Sequence, residues 1–222
     1  MGRRAVGSGC GVDRLAWRES VAEYVAAGQQ VVAPLPQCPS CRRRLGRWSG
    51  YWRWVRYPVD QRRIQMRRTR CQPCRSSHAL LPHFLFVRRL DEVATIGQAL
   101  ALRAGAEIEL RALARGFDLP RETLRGWWDR FRARSPTLLA EVVEVAIGLD
   151  AAPLDLRQKR EAVVFEALHQ ALRRARRRFG EQRVGEVWRF WSRISGGKVL
   201  TTNTPRNHAP FRRLHRMAGW LV

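Results

Sequence analysis

"CPSCRRRLGRWSGYWRWVRYPVDQRRIQMRRTRCQPC", residues 38–74, opens and closes with a Cys-x-x-Cys pair. Two residues between cysteines let a tight turn aim both sulfurs at one ion, and backbone amides of that turn can hydrogen-bond the thiolates. Two such turns, Cys38/Cys41 and Cys71/Cys74, supply the tetrahedral sulfur set that zinc takes at a closed structural site. Four sulfurs leave no open coordination position, so the expected cofactor is one structural Zn2+ per chain. A thioredoxin-like redox pair needs one Cys-x-x-Cys in an α/β setting, and none is evident. Cys10 has no partner. His78 and His83 follow closely, but four thiolates already suffice.

Between the cysteine pairs, "GYWRWVRY" and "RRIQMRRTR" are rich in aromatic and branched residues, and "PVD" separates them as a turn. The segment therefore reads as two antiparallel strands, with a third short strand at 78–81. Alternation places Trp52 and Trp54 on one face. With Ile64 and Met66 they are expected to form a minimal core, the arginines lying outside. Stacking of the tryptophans on bases is the alternative.

The chain has 222 residues and a formal charge of +23. A charge that large on so short a chain points to a polyanion, most simply nucleic acid. Its distribution is uneven: residues 38–90 hold fourteen arginines against Asp60 alone, whereas residues 91–136 hold eight arginines against seven acids. Lys159 and Lys198 are the only lysines, which a GC-rich genome accounts for, but base composition does not explain why acids vanish from one segment. Uncompensated like charges repel unless an anion is near, so Arg53, Arg63, Arg67, Arg68 and Arg70 are expected to meet phosphates. No stretch reaches the ~20 apolar residues of a membrane span, and the N-terminus lacks the apolar run of a signal peptide. A cytoplasmic, nucleoid-associated protein without membrane contact is expected.

Flanking segments read as helical. Residues 13–27 carry apolar residues near helical spacing, after a loose stretch at 1–10, and "VVAPLPQ" is an extended connector. Val93, Ile96, Leu100 and Ala101 mark another helix. "LRALARGFDLPRETLRGWWDRFRAR" fits a helix-turn-helix: a helix near 107–115, a turn holding Gly116, and a second helix near 120–134 with Pro120 at its first position. Leu124, Trp128 and Phe131 supply its packed face, with Trp127 beside them. The opposite face shows Arg121, Glu122, Arg125 and Asp129, placed to meet base edges. Arg130, Arg132 and Arg134 suit phosphates. An ordinary helical hairpin with solvated charges is the plain alternative.

The two cysteine pairs followed by "TLRGWWDRF" resemble the zinc-ribbon plus helix-turn-helix head of bacterial insertion-sequence transposases. They are more similar still to an actinobacterial domain family of unknown function found near mobile elements. The resemblance covers about residues 38–136 and implies recognition of duplex DNA at element ends or operators. Transposases of that type continue into a catalytic domain with three metal-binding carboxylates. Residues 137–222 hold only eight acids and read as too short and too helical for that fold, so no enzyme is expected.

Helices are expected over 137–149, 156–179 and 182–195, and this region is a candidate homodimer or protein-partner surface. Its "RRARRR" at 173–178 is either a second phosphate contact or a solvated basic face. "ISGGKVLTT" lacks phosphate-loop spacing and reads as a helix stop. The expected architecture is mainly α with a small β zinc ribbon, in four segments: 1–37, 38–90, 91–136 and 137–222. The expected function is that of a zinc-stabilised, sequence-specific duplex DNA-binding regulator or mobile-element accessory factor. An RNA-binding module and a transposase-related enzyme are the alternatives.

Overall fold

Four strands organise the first 83 residues. The computed structural model describes residues 11–15, 20–33, 35–57 and 60–200. They divide into two compact units, 1–83 and 84–222, so residues 84–90 of the basic segment fall in the second unit. In the first unit β1 (Gly11–Leu15), β2 (Gly46–Tyr57), β3 (Asp60–Arg70) and β4 (Ser77–Pro82) form a sheet in the order β1-β4-β3-β2. β2, β3 and β4 are antiparallel neighbours, and β1 lies parallel to β4 with Gly11 opposite His78. The hairpin register sets Tyr57 opposite Asp60, while Pro58 and Val59 of the expected turn lie outside the described residues.

That register corrects the expected hairpin core. Trp52 pairs with Gln65 and Trp54 with Arg63, whereas Ile64 pairs with Arg53 and Met66 with Tyr51. Cross-strand partners share a face, so the tryptophans stand on the face opposite Ile64 and Met66. Val55, Ile64 and Met66 are buried, and the tryptophans are not.

The N-terminal segment also departs from expectation. Residues 11–15 are a strand, and α1 spans only Val21–Ala27. A capping box sets its start: the Ser20 amide donates to Glu23 Oε2 at 2.6 Å, and the Glu23 amide donates to Ser20 Oγ at 3.2 Å. The Ser-x-x-Glu signal was present at 20–23, but apolar spacing upstream of it mimicked helix. Tyr24 on α1 is buried and its hydroxyl donates to the Gln65 carbonyl at 3.0 Å, tying helix to sheet. Burial pushes this phenol up to about 12, against the opposing charge of Arg67. The loose stretch expected at 1–10 and the tail from 201 lie outside the described residues.

The second unit is helical: α2 (Val93–Gly105), α3 (Leu110–Phe117), α4 (Arg121–Leu149), α5 (Ala162–Phe179), α6 (Glu181–Val184) and α7 (Val187–Ser195). About half of the described residues are helical, so the chain is mainly α with a small β-sheet. The break expected at Ser135–Pro136 is absent; α4 runs through it for 29 residues. Pro136 removes the amide that would bond the Arg132 carbonyl, a defect of about 3 kcal/mol in a helix interior. Phe131, Leu138, Val142 and Val145, all buried in the unit's core, hold both halves in line. Packing on α5, the most extensive helix contact of this unit, thus satisfies the apolar character of 137–149 internally.

α5 begins six residues later than expected. Its own side chains hold the preceding segment extended: Glu166 Oε2 accepts from the amides of Arg157 (2.8 Å) and Gln158 (2.9 Å). The helix expected over 182–195 is split at Gly185, whose φ of 72° suits only glycine well. Glu186 then caps α7 by accepting from the Trp188 and Arg189 amides. The expected helix stop is found at Gly196, left-handed at φ 67°, with the Gly197 amide donating to the Ser192 carbonyl at 2.7 Å.

The basic run at 173–178 has a third role that neither reading of it anticipated. Arg174 is buried and donates to the carbonyls of Ala146 (3.1 Å), Asp150 (2.7 Å), Ala152 (2.7 Å) and Pro153 (2.8 Å). Arg178 donates to the carbonyls of Gly148 and Leu149, and Arg177 pairs with Asp150 at 3.3 Å. Three arginines of α5 therefore complete the C-terminus of α4, where orphan carbonyls and the negative helix end favour cations. Arg174→Ala is expected to destabilise the second unit by roughly 3 kcal/mol, because buried carbonyls lose their donor. Hydrogen exchange should show the loss at the α4–α5 end; unchanged protection there would refute the capping role.

Candidate metal centre and basic faces

The cysteine turns are built alike. The Cys38 amide donates to the Arg43 carbonyl at 2.8 Å, and the Cys71 amide donates to the Ser76 carbonyl at 2.9 Å, five residues ahead in each case. The residue after each second cysteine is left-handed: Arg42 at φ 60° and Arg75 at φ 52°. The matching loops bring the four sulfurs to one point. Cys41 and Cys71 Sγ are 3.4 Å apart, Cys38 and Cys74 Sγ are 4.0 Å apart, and all four lie within 4.8 Å of one another. Zinc–sulfur bonds of about 2.3 Å in a tetrahedron place sulfurs about 3.8 Å apart, so the set fits such an ion. Leu45 packs beside buried Cys38 and Cys71 and screens that side from water. His78 stands apart from the sulfurs, its ring 3.2 Å from Ser76 Oγ.

The thiols do not share one electrostatic setting. Burial alone raises the Cys38 thiol, but the amides of Cys41 and Ser40 and the neighbouring sulfurs overcome it and bring it down to about 6. The Cys74 thiol is pushed up to about 12, first by Cys41 and Cys71 and then by burial. Four crowded sulfurs resist joint ionisation without a cation among them, which is the chemistry of a metal site.

Residues 38–127 match the family model Domain of unknown function (DUF6431). No curated protein and no solved structure matches the chain. The DUF6431 segment covers under half of the chain. It holds the four cysteines, the hairpin, α2, α3 and the start of α4, including Arg121, Glu122 and Arg125. Asp129, Arg130, Arg132 and Arg134 lie beyond it.

On β2 and β3 the basic residues occupy different environments. Trp48, Trp52 and Trp54 are 53%, 46% and 49% exposed. The Arg70 guanidinium lies 4.3 Å from the Trp48 ring centre, and that of Arg63 lies 5.9 Å from Trp52. Arg63 is exposed. Arg67 donates to the Gln29 carbonyl, and Arg68 donates to Ser77 Oγ at 2.8 Å. Arg53 stands on the packed face opposite Ile64, and burial pulls its pKa below the usual arginine value. Beside the hairpin, Arg47, Trp48, Arg67, Arg68, residues 29–33 and Leu35 line a cleft of about 360 Å³.

On α4, Leu124, Trp127 and Phe131 are buried, so Trp127 rather than Trp128 leads the packed face. The turn before α4 is Asp118–Leu119–Pro120, with Asp118 left-handed at φ 50°; Gly116 lies inside α3 instead. Pro120 caps α4 from one position before its first residue. Arg121, Glu122, Arg125 and Asp129 are all exposed on one side of the helix. The arginines further along are engaged: Arg130 with the Gly126 carbonyl, Arg132 with Glu161 at 3.2 Å, and Arg134 with both oxygens of Glu141. Arg88 and Arg89 were missed at the sequence level because they follow an apolar run outside any motif. Burial lowers the Arg89 pKa, and the nearby charges of Arg130 and Arg88 lower it further against the opposing carboxylate of Asp91, so three arginines and one acid gather beside the first half of α4.

Proposed function

We propose that the chain is a non-enzymatic, zinc-stabilised protein that binds duplex DNA in a sequence-specific manner, as a regulator or a mobile-element accessory factor. On this reading Cys38, Cys41, Cys71 and Cys74 hold one zinc ion that closes a ribbon, and α3 with the start of α4 is a helix-turn-helix. The observation that carries it is the division of labour along α4. The side chains of Arg121, Glu122, Arg125 and Asp129 make no hydrogen bond or ion pair among the described residues, while those of Arg130, Arg132 and Arg134 do. Charged groups left uncommitted on the N-terminal turns of a firmly anchored helix suit base edges in a major groove. The cation cluster of Arg88, Arg89 and Arg130 supports a phosphate contact beside it.

Arg125→Ala is expected to cost about 1–3 kcal/mol of discrimination between the preferred site and other duplexes. Arg63→Ala should weaken all duplexes alike and reduce the dependence on salt by about one phosphate. Anisotropy titrations on a site selected from random duplexes, at two salt concentrations, measure both. Equal binding of wild-type protein to every duplex would remove the proposal of a specific reader. Loss of discrimination from Arg63→Ala alone would exchange the two roles.

A further inference from the structure

The outer face of the β2–β3 hairpin has features that a duplex-phosphate contact does not need. Trp52 and Trp54 stand side by side on β2, half exposed, with Gln65 and Arg63 as their cross-strand partners. Exposed tryptophans on a sheet are costly to keep in water, and the cross-strand partners of this pair are polar rather than apolar. Their face carries Arg56, Gln61 and Arg63 instead. Asp60, the only acid of the hairpin, is paired with Arg62 at 2.7 Å. β2 is also the sheet's edge strand, so nothing in the first unit's sheet lies beyond it. The face thus offers flat π surfaces and positive charge together.

We infer that this face binds an unpaired segment of DNA, Trp52 and Trp54 each stacking on one of two successive bases. Alternate residues on a strand are about 6.7 Å apart. A single strand can span that step between neighbouring bases when it is unstacked and extended, whereas paired bases inside a duplex expose no face to stack on. Arg63, poised over Trp52, reaches the phosphate joining the two bases. Gly50, the next position on the same face, lies so close to β3 that an added Cβ would be 3.0 Å from the Met66 carbonyl and 3.3 Å from Gln65 Nε2, so no side chain of β2 stands between Trp52 and Trp48 on this face. Beyond Gly50, Trp48 with Arg47, Arg67 and Arg68 lines the cleft, a basic continuation for the strand. The inference rests on DNA being the partner, but not on α4 as the reader.

The full-length, metal-loaded protein is titrated against labelled 12-nucleotide oligodeoxythymidine, an abasic oligomer of equal length and charge, oligouridine and a mixed-sequence duplex. Wild-type protein should bind oligodeoxythymidine at least tenfold more tightly than the abasic oligomer. Trp52→Ala/Trp54→Ala should weaken oligodeoxythymidine roughly thirtyfold and abolish that preference. Trp52→Phe/Trp54→Phe should retain most of it, and duplex binding should change by less than about threefold. Metal content equal to wild type shows that the variants keep the ribbon. Equal affinity of wild-type protein for the abasic oligomer, absent single-strand binding, or parallel loss of single-strand and duplex binding in the alanine variant overturns the inference. So does tenfold tighter binding of oligouridine, which would make the ligand RNA. Duplex binding without single-strand binding leaves the proposed reader standing and removes this face; the reverse result removes the reader and leaves the face.

Discussion

Cys71→Ser is expected to release the metal and unfold the hairpin. Cys71 is fully buried, its amide closes the second turn, and its sulfur sits 3.4 Å from that of Cys41. A structural zinc ion contributes an apparent ~10–16 kcal/mol in small zinc domains, comparable with or above the ~5–15 kcal/mol that holds a whole domain folded. The apolar cluster at the sulfurs, Cys38, Leu45 and Cys71, is too small to replace it. Wild-type protein purified under reducing conditions should carry one zinc per chain, and the variant close to none. Amide exchange should then become fast across β2 and β3 while α4 and α5 stay protected. A wild-type metal content near zero, or a metal-free variant with a protected hairpin, would sink the structural-zinc assignment.

Gly97→Ala is the second large effect, and its sign opposes helix propensity. Alanine in the interior of α2 should gain up to about 1 kcal/mol over glycine. Yet a Cβ built on Gly97 would fall inside the Trp188 indole. Trp188 is buried, with its ring 5.7 Å from Phe165 and 6.4 Å from Phe86. Displacing it opens the aromatic centre of the second unit, at a net cost of roughly 4 kcal/mol. Denaturant titration followed by tryptophan fluorescence should show a second-unit transition at markedly lower midpoint, with metal content unchanged. A neutral or stabilising effect would mean that Trp188 does not pack against α2 as described.

Both predictions bear on what the sequence could disclose. The sulfur site was legible because its information is local: two short turns at recognisable spacing need only a hairpin to bring them together. The hairpin was legible as well, yet the sides of its strands were not, because one residue of register decides which set faces inward. Hydrophobic pattern argued that two tryptophans, an isoleucine and a methionine belong together; pairing across Tyr57 and Asp60 separates the tryptophans from the other two. α4 was misread as two helices because Pro136 is a local stop signal, while the burial of Phe131, Leu138 and Val142 that overrides it is tertiary. At the helix turn, Gly116 drew attention as the flexible residue, although Asp118 adopts the left-handed conformation that asparagine and aspartate tolerate. Arg121, Glu122, Arg125 and Asp129 were found by helical spacing alone, which is why they emerge together on one exposed side.

The arginines of α5 carry a consequence for how nucleic-acid binding by this chain would respond to salt. Each phosphate neutralised by a protein cation frees condensed counterions, and the logarithmic salt slope counts those cations. Arg174, Arg177 and Arg178 are occupied with the end of α4, Arg132 and Arg134 with carboxylates, and Arg189 with Glu92 at 3.0 Å. Their charge figures in the formal +23 without being available to displace sodium from a backbone. The slope should therefore fall far short of the one that net charge implies, and most of it should originate in the hairpin and its flanking loops.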